Sequence, residues 1–196
     1  MFLKLCQVGE SVLRQKAREL TLEEIVSDDI QRLIALMHET LRDAPGVGLA
    51  APQIGEPIQL AIIEDLPEYG RNLSAQQVAE RERHPVPFHV IINPRLTPIG
   101  AADIEFFEGC LSLSSFTALV PRHHRVHVEC LDENATPRKI DASGWYARIL
   151  QHEIDHLNGS LYIDRMHPRS FMSLDNYTRK WKDASIRDVK SGLGIA

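Results

Sequence analysis

The run Gln151-His152-Glu153-Ile154-Asp155-His156-Leu157-Asn158-Gly159 constrains this chain more than any other segment. Histidines four apart leave one face of a helix, where both rings can reach a single metal ion. Glu153, beside the first histidine, can then take a proton from a water held by that ion, a combination that points to hydrolysis. The flanks support a helix over about 143–157. Ser143 is a candidate N-cap ahead of Gly144. Tyr146, Leu150, Ile154 and Leu157 recur every three to four residues as a buried stripe, and Trp145, Ile149, His152 and His156 line a neighbouring face. Asn158-Gly159 supplies a stop. With nine histidines in 196 residues, the bare pattern arises by chance in roughly three chains per hundred. It reads equally as a helix carrying two polar surface histidines and an exposed glutamate.

The third ligand decides the class. Zinc peptidases of the metzincin type place a further histidine three residues beyond the glycine, but position 162 is Tyr162. Peptidases with a downstream glutamate ligand fare no better, because no Glu follows Glu153. Upstream, Glu108-Gly109-Cys110-Leu111-Ser112 sets a cysteine in a glycine-flanked segment. A thiolate there could complete a three-ligand site with one open position. Taken alone, Cys110 reads first as a small buried apolar residue. Further upstream lies Gly46-Val47-Gly48-Leu49-Ala50-Ala51-Pro52-Gln53-Ile54-Gly55. Its small residues would let a substrate backbone approach, and Gln53 offers an amide donor for a developing oxyanion. By itself this segment could be a turn with tightly packed alanines.

Together the three segments resemble the peptide deformylase family. Its signature motifs occur in family order at 46–53, 108–112 and 151–156, and similarity runs from about residue 4 to about residue 175. The resemblance implies Cys110, His152 and His156 as metal ligands and Glu153 as general base. It implies Gln53 and the Leu111 backbone N–H as oxyanion donors. Val47, Gly48 and Gly109 would offer main chain to a peptide bound as an added strand. Val47, Phe106, Trp145 and Ile149 would line a pocket for a methionine side chain, and Glu108 with Arg122 would form an ion pair steadying the Cys110 segment. The implied reaction is removal of the formyl group from N-terminal formyl-methionine of nascent peptides, with Fe2+ native and Zn2+, Ni2+ or Co2+ able to occupy the site. Two alternatives are weighed against it. A metallopeptidase of the His-Glu-x-x-His type lacks its downstream ligand here. A non-catalytic peptide-binding relative would not need Cys110, His152, Glu153, His156 and Gln53 all intact.

The chain departs from the family at Leu113-Ser114-Ser115, where most members have Val, a variable residue and Gly. Ser115 therefore puts a positive-φ turn there in question. Residues 66–87 read as a polar insertion between two strands, with a short exposed helix over 74–83. Its length resembles the organellar-like, type 1A branch.

Composition sets the outer limits. At 196 residues the chain is expected to form a single catalytic domain, 1–196. Its net charge of −5 argues against nucleic-acid binding. Three cysteines without paired spacing suit a reducing compartment. No apolar run reaches transmembrane length, and the start resembles neither a signal peptide nor a transit peptide, so the expected address is the cytoplasm, with a processed organellar form as the alternative. The expected fold is α+β, with antiparallel or mixed strands flanking a central metal-binding helix. Strands are expected near 58–64, 88–92, 103–107 and 124–131. Ser27 should cap a helix carrying Ile30, Leu33, Ile34, Met37 and Leu41, ended by Pro45-Gly46. The segment 165–196 holds seven Lys or Arg against three Asp. It reads as a solvated tail or a final helix packed through Phe171, Leu174 and Trp181; the sharper reading is transient contact with the ribosome.

Overall fold

The computed structural model describes residues 2–44, 46–71 and 73–195. After a single turn α1 (Leu22–Ile25) comes α2 (Asp28–Asp43), whose first turn is capped by the Ser27 side chain accepting from the Ile30 N–H. Pro45, expected to end this helix, lies outside the described residues; Ala44 is already extended at φ −93°. The strands are β1 (Gly48–Ala50), β2 (Leu60–Asp65), β3 (Val86–Ile99), β4 (Ile104–Glu108), β5 (Phe116–Arg122), β6 (Arg125–Leu131), β7 (Pro137–Ser143) and β8 (Met172–Ser173). The remaining helices are α3 (Ala75–Glu80), α4 (Gly144–Leu157), α5 (Leu174–Lys180) and α6 (Ile186–Leu193).

Five strands form an antiparallel sheet in the order β1-β2-β3-β6-β7, and three form a second sheet in the order β4-β5-β8. Period-two alternation sorts the larger sheet into two faces. Ala61, Ile63, Ile91, Val126 and Val128 point to α4, where they meet Ile149, Leu150, Ile154 and Leu157. Leu60, Ile62, Val90 and Ile92 point the other way, onto Ile34, Met37 and Leu41 of α2. The interior strand β2 is thus buried on both faces, which explains its unbroken apolar run. A third cluster, including Leu13, Leu113, Val120, Leu161 and Tyr162, packs under the smaller sheet. β1 and β4 are edge strands of their sheets, so each leaves one side of its backbone open.

The insertion forms a 3-10 turn at Pro67–Gly70 and the exposed helix α3, capped reciprocally by Ser74 and Gln77. Its far end is docked rather than free. Arg83 makes a bidentate pair with buried Asp65 at 2.8 and 2.9 Å, and the Arg81 carbonyl accepts the Trp145 N–H at 2.8 Å. Gly144, at φ 59°, sits where a side chain would collide with the Arg81 carbonyl and Glu82. Ser143 occupies the N-cap position of α4 but does not cap it; its hydroxyl turns instead to Glu82 at 3.3 Å. At Ser115 the positive-φ turn persists without glycine, at φ 68°.

Candidate metal centre

α4 is buried nearly all round, from Ala147 to Gln151 and from Glu153 to Leu157. The surface-histidine reading of its motif is thereby removed: His156 is 1% exposed. Cys110 follows β4 in a turn held by Leu113 N–H donating to its carbonyl at 3.0 Å. Together these elements bring one ligand atom each from Cys110, His152 and His156 within 4.8 Å of one another. Cys110 Sγ lies 3.2 Å from His156 Nε2, near the roughly 3.5 Å separating two donors of one tetrahedral ion. His152 Nδ1 is engaged by Glu108 Oε2 at 2.9 Å, which leaves Nε2 for an ion.

One thiolate and two imidazoles suit a borderline-soft divalent ion with one position open. The buried Glu153 Oε2 supplies the test of fit, since it has no hydrogen-bond partner among the described residues. An orphaned carboxyl oxygen is costly, and a water in the open position would satisfy it. Burial pushes the Glu153 carboxyl up to about 7, the range of a general base at neutral pH. Burial also opposes charge on His152, yet Cys110 and Glu108 hold its pKa well above that of a free imidazole. The same negative neighbours favour a metal cation there. Burial, then the charge of His152, push His156 well below the ordinary value.

Two further groups converge on this point. Gln53 Oε1 accepts the Ala50 N–H at 2.9 Å, which turns its amide nitrogen toward Cys110 Sγ at 3.5 Å and Ser112 Oγ at 3.3 Å. The Leu111 carbonyl is tied to Gln7 Nε2 at 3.0 Å, while its N–H meets no acceptor among the described residues. Gly48 lies directly against Glu153, and Gly109 follows the edge strand β4. Of the four residues expected to line a side-chain pocket, Ile149 is buried, and Val47, Phe106 and Trp145 are half-buried.

Beside Cys110, His152 and His156 lies a buried charge network larger than the Glu108–Arg122 pair. Glu108 accepts from Arg122 Nε and Nη2 at 2.9 Å each, from Arg148 Nη1 at 2.6 Å and from His152. Burial works against its charge, but Arg122 and His152 hold its carboxyl well below the usual range. Arg122 also reaches Asp155, whose oxygens accept twice from Arg165 at 2.7 Å. Sequence reasoning missed Arg148 and Asp155. An arginine amid apolar neighbours one turn before His152 is the signal that could have found Arg148. Two arginines of the insertion pack on the expected pocket residues: Arg83 lies 5.3 Å from the Trp145 ring centroid, and Arg81 4.9 Å from that of Phe106.

The chain is 48% identical over 170 residues to the chloroplastic peptide deformylase 1A of Solanum lycopersicum, covering 87% of this chain and 61% of that protein. Against the chloroplastic/mitochondrial peptide deformylase 1A of Arabidopsis thaliana it is 45% identical, covering 86% and 62%. It thus spans less than two thirds of the length of these plant relatives. Against peptide deformylase 1 of Streptomyces coelicolor identity is 39%, over 98% of this chain and 86% of that one. Among solved structures, the Synechococcus elongatus peptide deformylase in complex with actinonin superposes with a TM-score of 0.70 at 32% identity, covering 99% of this chain and 87% of that one. The Acinetobacter baumannii class I type b enzyme bound to Met-Ala-Ser gives 0.74 at 28% identity, covering 85% and 99%. The model of the polypeptide deformylase family matches residues 2–171, and with these relatives it establishes that the chain belongs to that family.

Proposed function

We propose that this chain is a metal-dependent hydrolase that removes the formyl group from the N-terminal formyl-methionine of newly synthesised polypeptides, releasing formate. Family membership supports the reading. The observation that carries it is the Cys110, His152 and His156 donor set beside the partnerless Glu153 Oε2. Residues 1–196 act in this reading as one catalytic domain.

A formamide is a weak electrophile, so attack needs hydroxide near neutral pH. A divalent ion on Cys110, His152 and His156 would supply it by lowering the pKa of a water. Glu153 would accept that water's proton and pass it to the departing amine. Gln53 Nε2 and the Leu111 N–H would donate to the oxyanion of the tetrahedral intermediate. The peptide would pair as an added strand with Val47, Gly48 and Gly109, along the open edges of β1 and β4. Its methionine side chain would lie among Val47, Phe106, Trp145 and Ile149.

Fe(II) is the native metal in this proposal, on the strength of the family, with Zn, Ni and Co as substitutes for the same donors. The compartment proposed is the cytoplasm. Three free cysteines support a reducing one, and no helix among the described residues is long and apolar enough to cross a membrane. The proposal includes transient ribosome contact through the basic C-terminal segment; co-sedimentation unchanged by deletion of residues 185–196 would remove it.

The deciding experiment is formate release from formyl-Met-Ala-Ser by protein purified without oxygen and assayed for metal. Rapid release with about one metal per chain is expected. Bound metal without release would favour a non-catalytic peptide-binding relative. Cleavage of casein would favour a metallopeptidase.

A further inference from the structure

Arg81 is a cation that the fold half-buries without an ion-pair partner among the described residues. It follows the last turn of α3, and its guanidinium lies 4.9 Å from the Phe106 ring centroid and 6.0 Å from that of Trp145. An arginine carries five N–H donors. Among the described residues the Arg81 side chain makes one hydrogen bond, from Nη1 to the Gln77 carbonyl at 3.1 Å. Among the described residues no carboxylate forms an ion pair with it. Arg83, two residues on, shows the contrast, being held bidentately by buried Asp65. Burial lowers the Arg81 pKa, so its surroundings disfavour the charge it carries. Trp145 Nε1, beneath it, is also buried without an acceptor. At this corner Arg81 meets the Gln77 carbonyl, and Glu80 favours its charge without forming an ion pair with it among the described residues. An unpaired, partly desolvated cation destabilises a fold, and stacking on aromatic faces offsets that only in part.

The proposed deformylase reading, on which this inference rests, lays the peptide out as a strand with its methionine side chain against Phe106 and Trp145. Side chains alternate along a strand, so the third residue returns to the methionine's side about 7 Å farther on. The Arg81 backbone is fixed beside that wall by the Trp145 N–H. We infer that Arg81 is a specificity residue that favours formyl-peptides bearing a carboxylate side chain at the third position. The bound peptide would provide the ion-pair partner that Arg81 lacks among the described residues. Arg81 touches no reacting atom, so its effect falls on KM and kcat/KM.

The test compares formyl-Met-Ala-Asp, formyl-Met-Ala-Asn and formyl-Met-Ala-Lys, all as C-terminal amides, by formate release at low salt. The aspartate peptide should exceed the asparagine peptide about fivefold in kcat/KM, through KM, with the lysine peptide lowest. The preference should shrink in about 0.5 M NaCl, and aspartate at the second position should not produce it. Arg81→Met keeps a stacking side chain and should bring the aspartate-to-asparagine ratio to about one, whereas Arg81→Lys should retain part of it. If Arg81→Met does not fold, the peptide and salt series on the unaltered protein decide. Turnover indifferent to charge at the third position overturns the inference and leaves the deformylase reading standing. Absence of turnover on any formyl-peptide overturns both.

Discussion

At Gly48 the absence of a side chain is a condition for the carboxylate next to it. A methyl group there would overlap Glu153 Oε1 and come within 2.8 Å of its Cγ. Gly48→Ala should therefore cut kcat about a hundredfold while metal content stays near normal, the mark of a displaced general base. Unimpaired turnover would show that Glu153 moves aside without consequence. Glu153→Ala should keep its metal and lose nearly all turnover, whereas Cys110→Ala should lose tight metal binding; a metal-replete Cys110→Ala protein would take that residue out of the ligand set. Ser115 carries a different constraint. It holds φ 68° with a side chain attached, so Ser115→Gly should stabilise the fold by about 0.5–1 kcal/mol in urea titration. Chemistry dictates residue type and spacing for His152, Glu153 and His156, whereas Cys110 and Gln53 were named through the family resemblance. Arg148, Asp155 and Arg81 had no such signature. Their meaning lies in which buried groups the fold places beside them, and spacing along the chain does not encode that.

Elements were legible where one periodicity governed them. The apolar stripe of 146–157 marked α4, and the run near 58–64 marked β2 (Leu60–Asp65). β7, Pro137-Arg-Lys-Ile-Asp-Ala-Ser143, went unread because it is a polar edge strand, mostly exposed, defined by its pairing with β6. β3 is longer than the 88–92 expected, and Pro94 is the reason it looked short. The strand accommodates that proline at a register shift between Ile92 and Arg95, with Asn93 at φ 50°. The link between α4 and the smaller sheet was partly visible as Glu108–Arg122, but its weight was not. Arg122 bridges Glu108 on β4 to Asp155 on α4, and all three are buried. Arg122→Met should cost about 3–5 kcal/mol, since it leaves part of the charge on both carboxylates unmatched. Equilibrium urea unfolding measures this directly, and a loss below about 1 kcal/mol would show the network to be dispensable.

Across the whole molecule, the C-terminal segment is a strap over the smaller sheet; of its expected anchors Trp181 packs inward, whereas Phe171 and Leu174 stay exposed. Leu174 is 50% exposed and Phe171 stacks on Phe116 at the surface. The burial comes from Val189, from Trp181 against Gly192, and from Lys190, which reaches Glu105 on β4 at 3.0 Å. Gln77 of the insertion donates to the Lys182 carbonyl at 3.0 Å, so the strap also ties down α3. Glu105 offers a way to test this docking by pH. Burial raises its pKa, but hydrogen bonds from Lys190 and His167 outweigh that and leave it lowered. A carboxyl with a depressed folded-state pKa contributes stability above its unfolded value, near 4.5, and loses it as pH falls through the folded value. Lys190→Met should therefore lower stability at pH 7 by up to about 1 kcal/mol, the scale of a partly exposed pair. As pH falls below about 4.5 that penalty should fade, because a protonated Glu105 has no charge for Lys190 to meet. Thermal melts of both proteins across this range would show the two curves converging in acid. A gap that stayed constant with pH would mean that Lys190 holds the strap through its aliphatic stem and not through its charge.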